Sequence, residues 1–148
     1  MPSPVEIADA NVLIALTLPA HVHHEPARRW VSQVALFATT PLTETALVRL
    51  LLNTTITVGK NGQALTIDHA VSALQAIKAL PNADFIADAT SLADSRALTS
   101  HVTRHRQVTD THLLNLAIAR GGVLATFDAR IRDALKPRHR HHVHTITT

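Results

Sequence analysis

The sequence predicts an α/β fold built on a mostly parallel sheet. Three observations predict it. Short apolar runs alternate with longer stretches of helical periodicity from one end of the chain to the other. The 148 residues carry no internal repeat and no Pro-, Gly- or Ser-rich linker, which predicts a single domain over 1–148. Hydrophobic residues make up 46% against 17% charged, with four glycines, a composition that builds a core rather than a disordered or fibrous chain.

The elements follow in order. Val5–Ala8 is a strand ending at Asp9, and Val12, Leu13, Leu16 and Leu18 continue it as a helix. His23–Val34 places Ala27, Trp30, Val31 and Val34 on one helical face. Ala35–Thr39 is a short strand and Leu42–Leu52 an apolar helix. Thr54–Gln63, with Gly59 and Gly62, is a connection. Thr66–Leu80 is a helix closed by Pro81, Asp84–Ala87 a strand, and Ser91–Ser100 a shorter helix. Thr109–Arg120 is the clearest helix, stopped by Gly121-Gly122. Val123–Phe127 is a buried strand, Ile131–Leu135 a short helix, and Val143–Thr147 a last strand at an edge.

Composition excludes several function classes. Cysteine is absent, so disulfide scaffolds, thiol chemistry and Cys-ligated metal centres are ruled out; this fits a reducing, cytoplasmic compartment. No apolar run approaches the length of a membrane span, and Met1–Glu6 lacks a basic leader, so no membrane association is expected. The net charge of +3, with 11 His besides, suits a polyanionic partner without demanding one. One Trp, three Phe and no Tyr argue against a platform of stacked bases.

Four acids recur at the ends of elements. Asp9 ends the first strand, Asp128 follows Val123–Phe127, Asp110 opens the clearest helix, and Glu44 stands on the first turn of the Leu42 helix. In an open α/β sheet these positions share the edge where ligands bind. Each also has an ordinary reading: helix cap for Asp9 and Asp110, turn for Asp128, helix-start charge for Glu44. Four carboxylates gathered together repel one another, and the sequence offers no matching set of nearby Lys or Arg. A hard divalent cation, Mg²⁺ or Mn²⁺, relieves that repulsion and supports phosphodiester hydrolysis.

At these residues the chain resembles the PIN-domain family, and within it the VapC-type toxins of bacterial toxin–antitoxin pairs. Asp9-Ala10-Asn11-Val12-Leu13-Ile14 is similar to the opening motif, and Pro41-Leu42-Thr43-Glu44 with the apolar helix after it to the second. The most specific stretch is His105–Asp128, HRQVTDTHLLNLAIARGGVLATFD, which holds the third and fourth acids. The resemblance spans nearly the whole chain. It implies an α/β/α sandwich and a Mg²⁺- or Mn²⁺-dependent endoribonuclease acting on structured RNA, transfer or ribosomal. It also implies a small VapB-type antitoxin that covers the pocket, and a homodimer. It assigns Asp9, Glu44, Asp110 and Asp128 as catalytic and metal-binding residues, with Asn11 and Thr126 orienting the first and last. A catalytically silent PIN-like binding domain is the alternative. Other α/β phosphohydrolases fit less well: Asn11 stands where one class requires a second Asp, and Ala8 where another requires an acid beside Asp9.

Other residues carry ordinary readings. His139, His141, His142 and His144, interleaved with Arg138 and Arg140, form a solvated tail entering an edge strand. His21, His23 and His24 form a solvated helix entry, and His112 takes a surface position on the helix after Asp110. Arg49, Arg104, Arg106 and Arg130 lie near the acidic motifs, as phosphate contacts or solvated charges. Asp84, Asp88 and Asp94 are strand ends and a helix entry.

Overall fold

The computed structural model describes residues 3–53 and 65–148; the connection expected over Thr54–Gln63 lies outside them. Five parallel strands form one sheet: β1 (Glu6–Ala8), β2 (Phe37–Thr39), β3 (Ala83–Phe85), β4 (Val123–Thr126) and β5 (Val143–Thr145). The order across the sheet is β3-β2-β1-β4-β5, so β5 is an edge strand, as expected. The helices are α1 (Ala10–Thr17), α2 (His24–Gln33), α3 (Pro41–Leu52), α4 (Ile67–Lys78), α5 (Arg96–Thr99), α6 (Gln107–Ala119) and α7 (Ala129–Asp133). No helix among the described residues is long and apolar enough to cross a membrane.

The central strands β1, β2 and β4 are buried on both faces, and residue alternation divides the core in two. Ala8, Phe37 and Ala125 point to one side and pack with Val12, Leu13, Trp30, Leu47, Leu51 and Ile77 from α1 to α4. Ile7, Ala38 and Leu124 point to the other and pack with Leu113, Leu116 and Ala117 of α6. The result is the helix–sheet–helix sandwich that the resemblance implied.

Helix ends are set by local chemistry. At α3, Pro41 has no amide hydrogen to satisfy, Thr40 Oγ1 accepts from Thr43 N at 3.2 Å, and Thr43 Oγ1 accepts in return from Thr40 N at 2.9 Å. Asp88 Oδ2 takes the remaining free amide, Leu42 N, at 2.9 Å. At the end of α6, Gly121 adopts φ +66°, Gly121 N bonds Ile118 O, and Gly122 N bonds Ala117 O at 2.8 Å. This paired closure needs a left-handed residue at Gly121.

Two expectations change. The helix expected over Ser91–Ser100 is broken into a 3₁₀ turn, Leu92–Asp94, and the short α5. Ser95 lies at the break, buried, with its hydroxyl bonded to Ser91 O at 2.9 Å. Such a side chain-to-backbone bond competes with a continuous helix. The C-terminal His/Arg run is solvated and enters an edge strand as expected, but it is an ordered turn and not a tail. Pro137–His142 forms a 3₁₀ turn in which Arg140 Nε donates to Leu135 O at 3.0 Å. His144 Nδ1 lies 2.6 Å from Glu6 Oε1, which also accepts from Trp30 Nε1 at 3.0 Å. Burial and the neighbouring Arg138 together lower the pKa of His139.

Candidate active site

The chain runs outward from β1 through β2 to β3, then returns to the other side of β1 as β4 and β5. The direction of winding reverses between β1 and β4. A crevice outside the carboxyl ends of such a pair is where open α/β sheets bind ligands. Asp9 leaves β1 there and Asp128 follows β4.

Asp9 is 8% exposed and its amide bonds Ala125 O at 2.9 Å, which joins the two strand ends. It occupies the cap position of α1, yet its carboxylate makes no cap hydrogen bond. The Ala10 and Asn11 amides still lower its pKa from the cap side, while the firm hold on the carboxylate comes from the fully buried Thr126. Thr126 Oγ1 donates to Asp9 Oδ2 at 2.8 Å.

The direction of that bond is fixed by its neighbours. Phe127 N donates to Asn11 Oδ1 at 3.3 Å, which turns the Asn11 amide nitrogen toward Thr126 Oγ1 at 3.1 Å. Asp128 N donates to the same oxygen at 3.1 Å. Two donors fill the lone pairs of the hydroxyl, so its single hydrogen goes to Asp9. Asn11 and Thr126 thus orient Asp9 from opposite ends of the chain.

Asp110 lies inside the first turn of α6, not at its cap, because the helix starts at Gln107, ahead of the expected Thr109. Burial first, then the charges of Asp9 and Asp128, push its pKa up to about 7. Asp9 is raised as well, chiefly by burial, against the pull of the Thr126 hydroxyl. Asp128 goes the other way. Arg130 donates Nε to Oδ1 and Nη2 to Oδ2, both at 3.0 Å, and holds it below its ordinary value. Asp9, Asp110 and Asp128 are therefore one electrostatic group.

Glu44 has different company. It stands in the first turn of α3 at the same sheet edge, where Thr39 Oγ1 donates to its Oε2 at 2.6 Å. Lys78 Nζ lies 2.6 Å from that oxygen and 4.1 Å from the Phe85 ring centroid. The charges that shift Asp9 and Asp110 do not include Glu44. Two acids of the four thus have cationic partners, Arg130 and Lys78, contrary to the expectation of no matching Lys or Arg. Lys78 is 34 positions from Glu44, a separation that no local pattern reveals.

Asp88 and His112 form a pair that sequence reasoning missed. Asp88 Oδ1 lies 3.0 Å from His112 Nε2 while Oδ2 caps α3, so the pair ties α6 to the helix that carries Glu44. Each was weighed alone; nothing in the spacing joins them. The histidines at the start of α2 are also more than a solvated entry. His23 stacks on Phe127 at 4.7 Å, and His24 Nδ1 meets Ala15 O at 2.8 Å. Arg104, Arg106 and Arg130 line a cavity beside Asp110 and Asp128. Arg49 lines a separate groove with Glu44 and Phe85.

Among the described residues no three His, Asp or Glu side chains form a ready-made metal cage. The donor chemistry nevertheless suits a hard cation. Two carboxylates are raised by burial and mutual charge, and a guanidinium already neutralises the third.

Three interacting aspartates gathered at the winding reversal of a parallel sheet define an acid-centred α/β protein. The PIN domain family matches residues 7–136, and the chain belongs to that family. Two relatives from Mycobacterium tuberculosis are named ribonucleases. VapC39 is 40% identical over 131 residues, covering 86% of this chain and 91% of its own. VapC38 is 36% identical over 143 residues, covering 95% and 97%. The crystal structure of M. tuberculosis VapC20, a sarcin–ricin loop cleaving toxin, aligns over 88% of this chain and 94% of its own. Its TM-score is 0.59 at 17% identity, a likeness of fold.

Proposed function

We propose that the chain is an RNA-cleaving toxin: an endoribonuclease that uses Mg²⁺ or Mn²⁺ to hydrolyse phosphodiester bonds in transfer or ribosomal RNA. It acts in the cytoplasm as a homodimer, and a small VapB-type antitoxin restrains it. The observation that carries this reading is the coupled trio Asp9, Asp110 and Asp128 at the crevice between β1 and β4. The relatives named ribonucleases support it.

Asp9, Asp110 and Asp128 would hold the metal, with Asn11 and Thr126 supporting Asp9. When bound, the ion supplies a nucleophile at neutral pH and charge for the phosphodiester oxygens. Thr126 holds Asp9 as an acceptor, so this carboxylate is aimed before any ligand arrives. Asp128 becomes free as Arg130 turns from it toward the substrate phosphate. Arg104 and Arg106, both exposed at the cavity rim, bind phosphates nearby. Glu44 is the fourth catalytic acid in this proposal, and its part requires Lys78 to yield.

The catalytically silent reading has one observation in its favour: two of the four acids sit in ion pairs. Incubating total RNA with antitoxin-free protein and Mn²⁺ separates the two readings. Discrete fragments that vanish with EDTA and with Asp9→Asn support the nuclease. Intact RNA from folded protein supports the silent domain.

A further inference from the structure

A cavity of about 460 Å³ opens beside Asp110 and Asp128, between the 101–107 segment, α6 and α7. That volume suits one small organic group. Its floor is apolar, from the buried Leu98, Leu114 and Leu135 and the half-buried Ile131.

One polar side chain, Gln107, interrupts the floor. Gln107 Oε1 accepts from Thr103 N at 2.8 Å and Arg104 N at 3.0 Å, which pins the amide. Its amide nitrogen, with two hydrogens to give, makes no hydrogen bond among the described residues. His101 also lines the cavity, but its Nε2 is closed off from solvent and does not face the open space. Guanidinium groups stand around the mouth.

We infer that this cavity seats a single unstacked nucleobase of the RNA, with the phosphates flanking that nucleotide held by the arginines. The substrate class rests on the nuclease reading; the shape and chemistry of the pocket do not. A base has two apolar faces and one polar edge, which match an apolar floor carrying the Gln107 amide donor. An aliphatic side chain of a protein partner would cover the floor but leave the Gln107 amide unmet, at a loss of binding. Single-stranded RNA presents splayed bases in just this way, each between two phosphates. Such a pocket selects the base beside the cut and positions the phosphodiester over the aspartates.

The decisive experiment does not depend on cleavage. Metal-free protein is titrated with the four ribonucleoside 5′-monophosphates and with ribose 5-phosphate, and amide shifts are followed by NMR. Shifts are expected at Leu98, Gln107 and Leu114, with one base favoured by about fivefold or more, and none there from ribose 5-phosphate. Ala134→Phe, at an exposed position on the cavity wall, fills the mouth and weakens binding by about tenfold. Equal response to ribose 5-phosphate, no response at the cavity, or unchanged binding by Ala134→Phe overturns the inference. Cleavage of an RNA pool randomised around the cut is a second arm. A base preference at a fixed offset, flattened in Ala134→Phe with KM raised more than kcat, supports the pocket; cleavage with no preference overturns it. Base binding without cleavage by wild type removes the nuclease reading and leaves the pocket.

Discussion

Arg130 grips Asp128 with a two-pronged fork, Nε on Oδ1 and Nη2 on Oδ2, each at 3.0 Å. Bidentate pairing of this kind is directional as well as attractive. Arg130 is therefore a competitor for any cation that Asp128 would bind. Arg130→Ala should tighten Mn²⁺ binding by about two- to fivefold, the size expected of an exposed ion pair. Calorimetric titration reads this, and weaker metal binding in the variant would remove the competition argument.

Asp110 sets a pH dependence. Its pKa is about 7 when folded, against an ordinary value of 3.8. Between those values the folded protein holds a proton that the unfolded chain has released, so stability falls as pH rises through the window. Its contribution is complete below about pH 4 and gone above about pH 7. Metal-free Asp110→Asn should match wild type near pH 4 and exceed it by a margin that grows up to about pH 7 and persists at pH 8. Urea midpoints test this, and parallel curves for the two proteins would refute it. Mn²⁺ should reverse the slope for wild type, because metal binds the ionised carboxylate.

Gly122 faces a backbone obstacle. A Cβ there would lie 2.3 Å from Val5 O and 2.8 Å from Val5 Cγ1, beside the ladder bond from Val123 N to Val5 O at 3.0 Å. Gly122→Ala should cost about 1–3 kcal/mol by forcing β1 and β4 apart. At Gly121 a Cβ meets nothing within 4 Å, and only the left-handed backbone opposes it, at about 1 kcal/mol. The order of the two urea midpoints is the test; an equal loss would refute the close-approach argument.

Removing Asp88 strands two groups at once, Leu42 N at the start of α3 and His112 on α6. Asp88→Ala should destabilise the protein by about 1–3 kcal/mol. A double-mutant cycle with His112→Ala should show coupling of about 0.5 kcal/mol or more. Strict additivity would mean that the pair is incidental.

The parallel sheet and the two-sided core follow from patterns that sequence displays, since buried parallel strands are apolar throughout and helices keep one periodic face; the order of the strands does not. Asp9, Asp110 and Asp128 were visible for the same reason: each sits at a fixed place relative to an element end. What the sequence hid was every partner across the fold. Lys78 in the last turn of α4 looks like an ordinary charge at a helix terminus, and Asp88 like a strand end. The α5 region was misread because Ser95 and Ser91 satisfy each other locally, a bond that apolar periodicity does not record. Glu44 shows the limit most plainly. Its position on α3 was legible, but its contacts depend on Thr39 and on a lysine from another helix.

Asp9 and Thr126 are separated by 117 positions, and β1 has β4 as a sheet neighbour. During synthesis, the first strand leaves the ribosome long before its neighbour exists. Sheet pairing between distant segments is also slow to form. The hydroxyl that aims Asp9 arrives only with β4, so a partly made protein carries the acid without its alignment. The crevice is thus delayed until β4 has been made, and truncation before β4 leaves a chain that cannot assemble it at all.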